Sequence, residues 1–322
     1  SRGSQVQILP PRQIQNIRRM YRLYFISLFF LACSDTAIND NPNLFPGRID
    51  LGEIESDDIQ EASGIVSSRI NNNILWTHND SGDSNRIFAM DTNGKHIGQF
   101  FLKNSNNRDW EDIAIGPGPD LGVEYLYIGD IGDNRSENDI KHIYRFKEPL
   151  INTIDNSEPI ELENIESISF QYEDGNRDAE TLLVDPLTKD IIIISKREET
   201  AVHIYSLPYP HDLENVLTAK LIMTKDFYPN TNFQTSQWIV AGDISNDGKQ
   251  VLIKSYTDIF YFERLENQSI FESLNNENTK INYYTEPQGE AVCWNADLSG
   301  YYTLSEKAYD SNQPSRLYFY TF

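Results

Sequence analysis

The sequence predicts an all-β chain folded as a single β-propeller, five-bladed, with six or seven blades as the alternative. Three observations carry this reading. Helical periodicity is nearly absent after residue 50, where short β-branched and aromatic runs are separated by turn clusters such as Asp91-Thr92-Asn93-Gly94 and Asn246-Asp247-Gly248-Lys249. Those runs fall into a triplet of strands that recurs five times. The last repeat lacks its outer strand, and an unmatched strand near the N-terminus is available to supply it.

The first strands of the triplets begin at Ser63 (SGIVSS), Glu111 (EDIAIG), Glu180 (ETLLVD), Gly242 (GDISND) and Glu290 (EAVCWN). The second strands read NILWTHND, EYLYIGDI, DIIIISKR, QVLIKSYT and GYYTLSEK, and the third RIFAM, HIYRF, HIYSL, DIFYF and RLYFY. A fourth, outer strand is expected over 96–102, 168–172, 220–225 and 280–284. For the fifth repeat, residues 49–54 are expected to pair with the C-terminal strand, which closes the ring and removes an exposed sheet edge. Start-to-start spacings of 48, 69, 62 and 48 residues exceed a minimal blade, so the surplus is expected in loops, the longest about 149–166.

The N-terminal 32 residues stand apart from this grammar. Arg18, Arg19 and Arg22 lead into the ten-residue apolar run Leu23–Ala32, and Cys33 follows at once, the layout of a secretory signal too short to span a bilayer. The cysteine after that run resembles the lipobox of bacterial lipoproteins, with Phe30 a departure from its usual leucine; a plain signal peptide with an incidental cysteine is the alternative. Met20 is a candidate start. The expected organisation is a leader and signal peptide over 1–32, a tether over 33–48 beginning at a lipidated Cys33, and a propeller over 49–322. The expected location is the bacterial cell envelope, outer membrane or periplasm-facing, with membrane contact only through the lipid.

Charge narrows the partners. The chain carries 27 Lys+Arg against 49 Asp+Glu; loss of residues 1–32 removes five arginines and no acids, taking the net charge from −22 to about −27. Such a body repels nucleic acid and anionic lipid and attracts divalent cations. A lipidated Cys33 leaves Cys293 unpaired, and its apolar neighbours Val292 and Trp294 make it a small buried hydrophobe. A monomer is expected.

In a propeller the innermost strands line a central channel, so their equivalent starting positions converge. Three glutamates facing one axis repel, and the repulsion is relieved by protonation, water or a cation. Ser63, Glu111, Glu180 and Glu290, with Asp243 standing in beside Gly242, are the expected ligands of an axial Ca²⁺, an ion that accepts loose all-oxygen geometry. The alternative is a water-filled ring in which each glutamate caps strand N–H groups. The column is similar to the axial Ca²⁺ site of the five-bladed calcium-dependent apyrases, at single positions per blade. The longer motifs NDSGD (79–83), NRDWEDIA (107–114), GDIGDN (129–134), DAETLLVD (178–185) and PQGEAV (287–292) resemble a group of exported bacterial propeller proteins, which implies the fold and no activity.

The second strands return to the same face, and their ends form the rim of its opening. Asp130, Lys196, Glu306, Asp80 and His78 are the expected catalytic groups, with acids and bases interleaved on one concave face. Asn79, Arg108, Asp109, Arg177, Asp178, Arg197, Tyr256 and Lys307 are the expected substrate contacts, the arginines suited to a uronate, sulfate or phosphate. The ordinary alternative is that these are solvated turn residues. No Gly-rich phosphate loop, HExxH, CxxC or nucleophile elbow is present, and five dispersed histidines argue against transition-metal chemistry. The expected function is a hydrolase or lyase acting on an anionic oligosaccharide or phosphoester; the alternative is a non-catalytic lipoprotein that binds glycan or protein.

Overall fold

The computed structural model describes residues 47–151, 158–307 and 314–322. The expected signal segment, Cys33 and most of the tether lie outside these residues. No helix among the described residues is long and apolar enough to cross a membrane.

The chain enters as β1 (Arg48–Glu53) and then builds successive antiparallel meanders. The first is β2 (Ala62–Ser67), β3 (Ile74–Asn79), β4 (Arg86–Asp91) and β5 (His96–Leu102); the second begins with β6 (Trp110–Pro117), β7 (Glu124–Asp130) and β8 (Lys141–Lys147). A short β9 (Ile160–Leu162) precedes β10 (Glu166–Tyr172), the outer strand of the second meander. The third is β11 (Ala179–Val184), β12 (Ile191–Ser195), β13 (Val202–Leu207) and β14 (Leu217–Lys225). The fourth is β15 (Ile239–Ile244), β16 (Gln250–Ser255) and β17 (Ile259–Glu263), then the helix α1 (Ile270–Asn275) and β18 (Thr279–Ile281). The last is β19 (Ala291–Trp294), β20 (Gly300–Leu304) and β21 (Arg316–Thr321), and β1 joins it by antiparallel pairing of Ile49 with Phe319. The chain's two ends therefore share one four-stranded sheet.

The segment expected as a loop over about 149–166 contains β9, which lies parallel to β5 at the outer edge of the first sheet. β10 and β14 also pair in parallel, joining the second and third meanders into one eight-stranded sheet. Unsatisfied outer edges explain both additions, since a strand edge recruits any extended segment within reach. The helix α1 was not legible as periodicity because it spans under two turns; Ser269 caps it by accepting from the Glu272 N–H at 3.2 Å.

The first strands pack side by side in the cyclic order β2, β6, β11, β15, β19 and back to β2. Apolar clusters fill each gap between neighbouring meanders: Trp76, Leu126 and Ile128 in one, Tyr127, Leu182 and Ile193 in the next, then Leu183, Ile192 and Ile253, then Leu252, Val292 and Tyr301, and finally Cys293, Tyr302 and Ile65. Each sheet is thus buried on both faces, as radial packing around an axis requires, and the architecture is that of a β-propeller. Cys293 is fully buried, and burial raises its thiol well above the ordinary range, in keeping with the expected hydrophobe.

First strands have no partner on the axial side, so their free backbone groups need other partners. Side chains supply them. Ser63 Oγ donates to the Glu111 carbonyl at 2.7 Å, Asp112 accepts from the Leu182 N–H at 2.9 Å, and Asp243 accepts from the Trp294 N–H at 2.8 Å. The register of β2, β6, β11 and β15 slips by one residue near its start, between Ala62/Gly64, Trp110/Asp112, Ala179/Thr181 and Ile239/Ala241. Each slip is a β-bulge that leaves one residue outside the ladder and re-aims it. The bulged residues are Ser63, Glu111, Glu180 and Val240.

Candidate functional site

The bulges decide which side chains meet. Glu111 and Glu180 project from bulges, and Glu290 precedes Ala291, whose partner Leu304 places it in the same position. The fourth meander contributes Val240 there, not Gly242 as expected. Gly242 pairs with Ile253 in the row of Ile65, Ile113, Leu182 and Val292, and a Cβ on it would lie 2.8 Å from the Leu252 carbonyl oxygen. Asp243 accordingly sits deeper along the strand, beside Trp294 and under the influence of Arg69, and does not join the glutamates. Ser63 spends its hydroxyl proton on the Glu111 carbonyl. Of the expected Ca²⁺ ligands, Glu111, Glu180 and Glu290 are brought together and Ser63 and Asp243 are otherwise engaged.

The rim is corrected in the same way. The N–H groups of Asp80, Gly132, Lys196 and Glu306 donate to the carbonyls of Glu61, Asp109, Asp178 and Gln288 at 2.8, 3.2, 3.0 and 3.1 Å, so these four are equivalent. Asn79 and Asp130 stand before that position. Asn79 accepts from the N–H groups of Gln60 and Glu61 and donates to the Asp58 carbonyl, fixing the approach to β2. Asp130 accepts from the Asp109 N–H at 2.9 Å and lies 3.6 Å from Arg108, which makes it a brace for the neighbouring turn. His78 is fully buried edge-on to Trp110, its Nδ1 is 2.9 Å from the Asn79 carbonyl, and burial pushes it down to about 4, leaving a neutral ring away from the mouth. Neither Asp130 nor His78 takes the catalytic position expected of it.

What converges is a carboxylate cluster built from four of the meanders: Asp80 from the first, Asp109 and Glu111 from the second, Glu180 from the third, Glu290 and Glu306 from the last. Lys196 enters it from the third and Tyr256 from the fourth. Lys196 Nζ is bonded to Glu180 and lies 4.0 Å from a Glu290 oxygen; Tyr256 donates to Glu290. Oxygens of Asp80, Asp109 and Glu111 lie within 4.8 Å of one another, as do those of Glu111, Asp178 and Glu180. Asp178 is already engaged by the Asp133 N–H and by Arg197.

Electrostatics follow from this crowding. Burial and then the charges of Glu180, Asp80 and Asp109 raise Glu111 well above the carboxylate range. Burial, with Glu290 and Asp80 nearby, does the same to Glu306, which shares a hydrogen bond with Glu290. Burial and Glu290 push Asp80 up to about 7. Burial alone would lower Lys196, but Glu180, Tyr256, Glu290 and Glu111 outweigh it and raise Lys196 well above its ordinary value. One ammonium therefore faces several carboxylates, and the surplus is relieved by protons or by a further cation.

The expected anion-binding cations are consumed locally. Arg108 donates to the carbonyls of Ile140 and Asp130, Arg177 pairs with Asp174 and lies 3.7 Å from Glu198, and Arg197 pairs with Asp178. Lys307 is exposed at the edge of the rim. Each of the three arginines expected to bind an anion is therefore already partnered.

Gly132, within GDIGDN, was not singled out from sequence. A Cβ there would overlap Glu111 Oε1 and lie 2.6 Å from Asp109 Oδ2, so the missing side chain leaves a cradle against both carboxylates. Gly132→Ala is expected to cost about 1–3 kcal/mol of stability, read by urea denaturation. Wild-type stability would mean that the backbone does not approach the acids this closely.

Fold and site together define an all-β propeller with a buried acidic cluster at one end of its axis. No family model matches the chain, and no curated protein matches it. Among solved structures it is similar to hydrazine synthase of Kuenenia stuttgartiensis (10% identity over 76% of this chain and 68% of that one, TM-score 0.40). It is also similar to the PQQ-bound aldose sugar dehydrogenase of Streptomyces coelicolor (8%, 85% and 97%, TM-score 0.47) and to U3-55K (9%, 81% and 68%, TM-score 0.39). At these values the fold rests on the chain's own strand order and packing, and the site on its own residues.

Proposed function

We propose that the chain is a five-bladed propeller enzyme, a hydrolase or lyase acting on an oligosaccharide, with a divalent-cation site at the axial mouth. The observation that supports it is the triad Asp80, Asp109 and Glu111 beside the Gly132 cradle, acids that outnumber the Lys196 and Arg108 charges facing them. An all-oxygen donor set of irregular geometry suits Ca²⁺ better than Mg²⁺. These three residues would hold the ion, which would supply Lewis-acid stabilisation of negative charge and the only route by which an anionic group is tolerated.

The chain's own residues divide the remaining work. Glu306 keeps its proton near neutrality and serves as the general acid toward a leaving oxygen. Lys196 stays charged and stabilises an oxyanion. Tyr256 orients Glu290, and Glu290 fixes Glu306. The lipid anchor at Cys33 and the cell-envelope location complete the reading.

Purified residues 34–322 incubated with oligosaccharide and phosphoester panels in Ca²⁺ test it. Turnover is expected, falling by roughly 10²–10⁴-fold in Glu306→Gln and lost with Ca²⁺ binding in Asp80→Asn/Asp109→Asn. Saturable binding without product would instead identify a non-catalytic glycan-binding protein. Unchanged turnover in both variants would reject the assignment.

A further inference from the structure

Beside the acidic mouth, between the third and fourth meanders, lies a cleft whose lining includes Lys196, Thr200, Tyr228, Phe233, Gln237 and Trp238. Its wall is the connection from β14 to β15, residues 226–238, where the corresponding connections into β6 and β11 run only 103–109 and 173–178. The chain has spent extra length here, and that length carries the aromatic residues. Lys196 lines this cleft and also belongs to the axial cluster, so the two spaces adjoin.

Three features define what the cleft accepts. Trp238 Nε1 is shut off from solvent and has no hydrogen-bond partner among the described residues, a donor left for a ligand acceptor. Arg197 lies 4.7 Å over the indole centroid and Phe233 packs at 6.3 Å, so the ring is held in a fixed orientation. Carboxylates outnumber ammonium groups along the lining: Glu198, Glu199 and Asp226 stand against Lys196 and Lys225, and Lys196 is already bonded to Glu180. The excess of acids disfavours an anion in the cleft. With aromatic faces flanked by Thr200 and Gln237, it suits a ring that has an apolar C–H face and a hydroxylated edge.

We propose that this cleft is the subsite for a neutral glycosyl unit, its C–H face against the aromatic lining and one hydroxyl meeting Trp238 Nε1, which directs the adjoining bond toward Lys196. The proposal rests on the reading of the mouth as the reacting centre. It assigns the substrate class as a neutral saccharide at this position.

The other three tryptophans, Trp76, Trp110 and Trp294, are buried in the core away from the cleft, so a ligand-induced change in fluorescence that disappears in Trp238→Phe is assigned to Trp238. Titration of the Ca²⁺-loaded protein with neutral hexose and N-acetylhexosamine oligosaccharides, and with their sulfated counterparts, is expected to give saturable fluorescence change with the neutral set. Trp238→Ala and Phe233→Ala, followed by calorimetry, are each expected to raise Kd about tenfold or more, while Trp238→Phe, which keeps an aromatic face but loses the N–H donor, recovers only part of the loss and Ca²⁺ binding is unaltered in all three. Binding of sulfated sugars alone, no binding of any neutral sugar, or wild-type affinity in both alanine variants overturns the subsite. Asp80→Asn/Asp109→Asn separates the two readings: loss of Ca²⁺ binding and turnover with neutral-sugar binding retained supports both. A wild type that binds neutral sugars through Trp238 but takes up no Ca²⁺ overturns the cation site and keeps the subsite.

Discussion

Lys196→Met is expected to destabilise the protein by about 3–5 kcal/mol. It removes the ammonium bonded to Glu180 and 4.0 Å from Glu290, and leaves the buried Glu111, Glu180 and Glu290, with the half-buried Glu306 beside them, crowded without it. The effect is asymmetric. Glu180→Gln leaves Lys196 among Glu290 and Glu111 and subtracts one repelling carboxylate, so its cost is expected to stay within about 1 kcal/mol. Urea denaturation of the two variants side by side reads this directly. Equal losses would mean that Lys196 and Glu180 form an isolated pair rather than one cation within a surplus of acids.

The metal-free protein is expected to lose stability as pH rises from 6.5 to 8. A carboxyl whose folded pKa is raised keeps its proton in the native state after the unfolded chain has released it, so the native state binds more protons and stability falls with pH up to the folded value. Asp80 and Glu286, both pushed up to about 7 chiefly by burial, act in this window, and Glu111 and Glu306 are raised in the same direction. His78 and His211, lowered to about 4 by burial, work in the opposite sense, but only between about 4 and their unfolded value of 6.5. Ca²⁺ is expected to raise Tm more at pH 8, above the value of about 7 at which Asp80 gives up its proton, than at pH 6.5, with about 2.7 kcal/mol gained at a hundredfold excess over Kd. EDTA should reverse the gain. A Tm that Ca²⁺ leaves unmoved at pH 8 would count against the cation site, and a metal-free Tm flat from pH 6.5 to 8 would count against a surplus of buried carboxylates.

The strand triplets were readable because they depend on local chemistry: β-branched and aromatic runs, turn residues between them, and a side-chain period of two. The closing pair of β1 with β21 was readable from an unmatched strand at one end and a missing one at the other. The errors at the site have physical causes as well. Aligning the fourth repeat on Gly242 instead of Val240 is a slip of two residues, which preserves the in-and-out alternation and so leaves the hydrophobic pattern unchanged. A glycine in the row of Ile65 and Val292 hid the true position, because close packing against Leu252 had taken the place of a side chain. Asn79 and Asp130 were placed on the rim by slips of one and two residues, since an irregularity in the ladder inserts a residue without any mark in composition.

The sequence by itself determined that this is an all-β repeat protein, which strands meander together, and that acids gather at the starts of the first strands. Tertiary structure alone decided that Asp80, Asp109 and Glu111 share one space, that Lys196 is the ammonium among them, and that the arginines of the rim answer to their own neighbours. Strand identity is a property of consecutive residues. The meeting of side chains across an axis depends on bulges and on packing between sheets whose residues lie far apart along the chain.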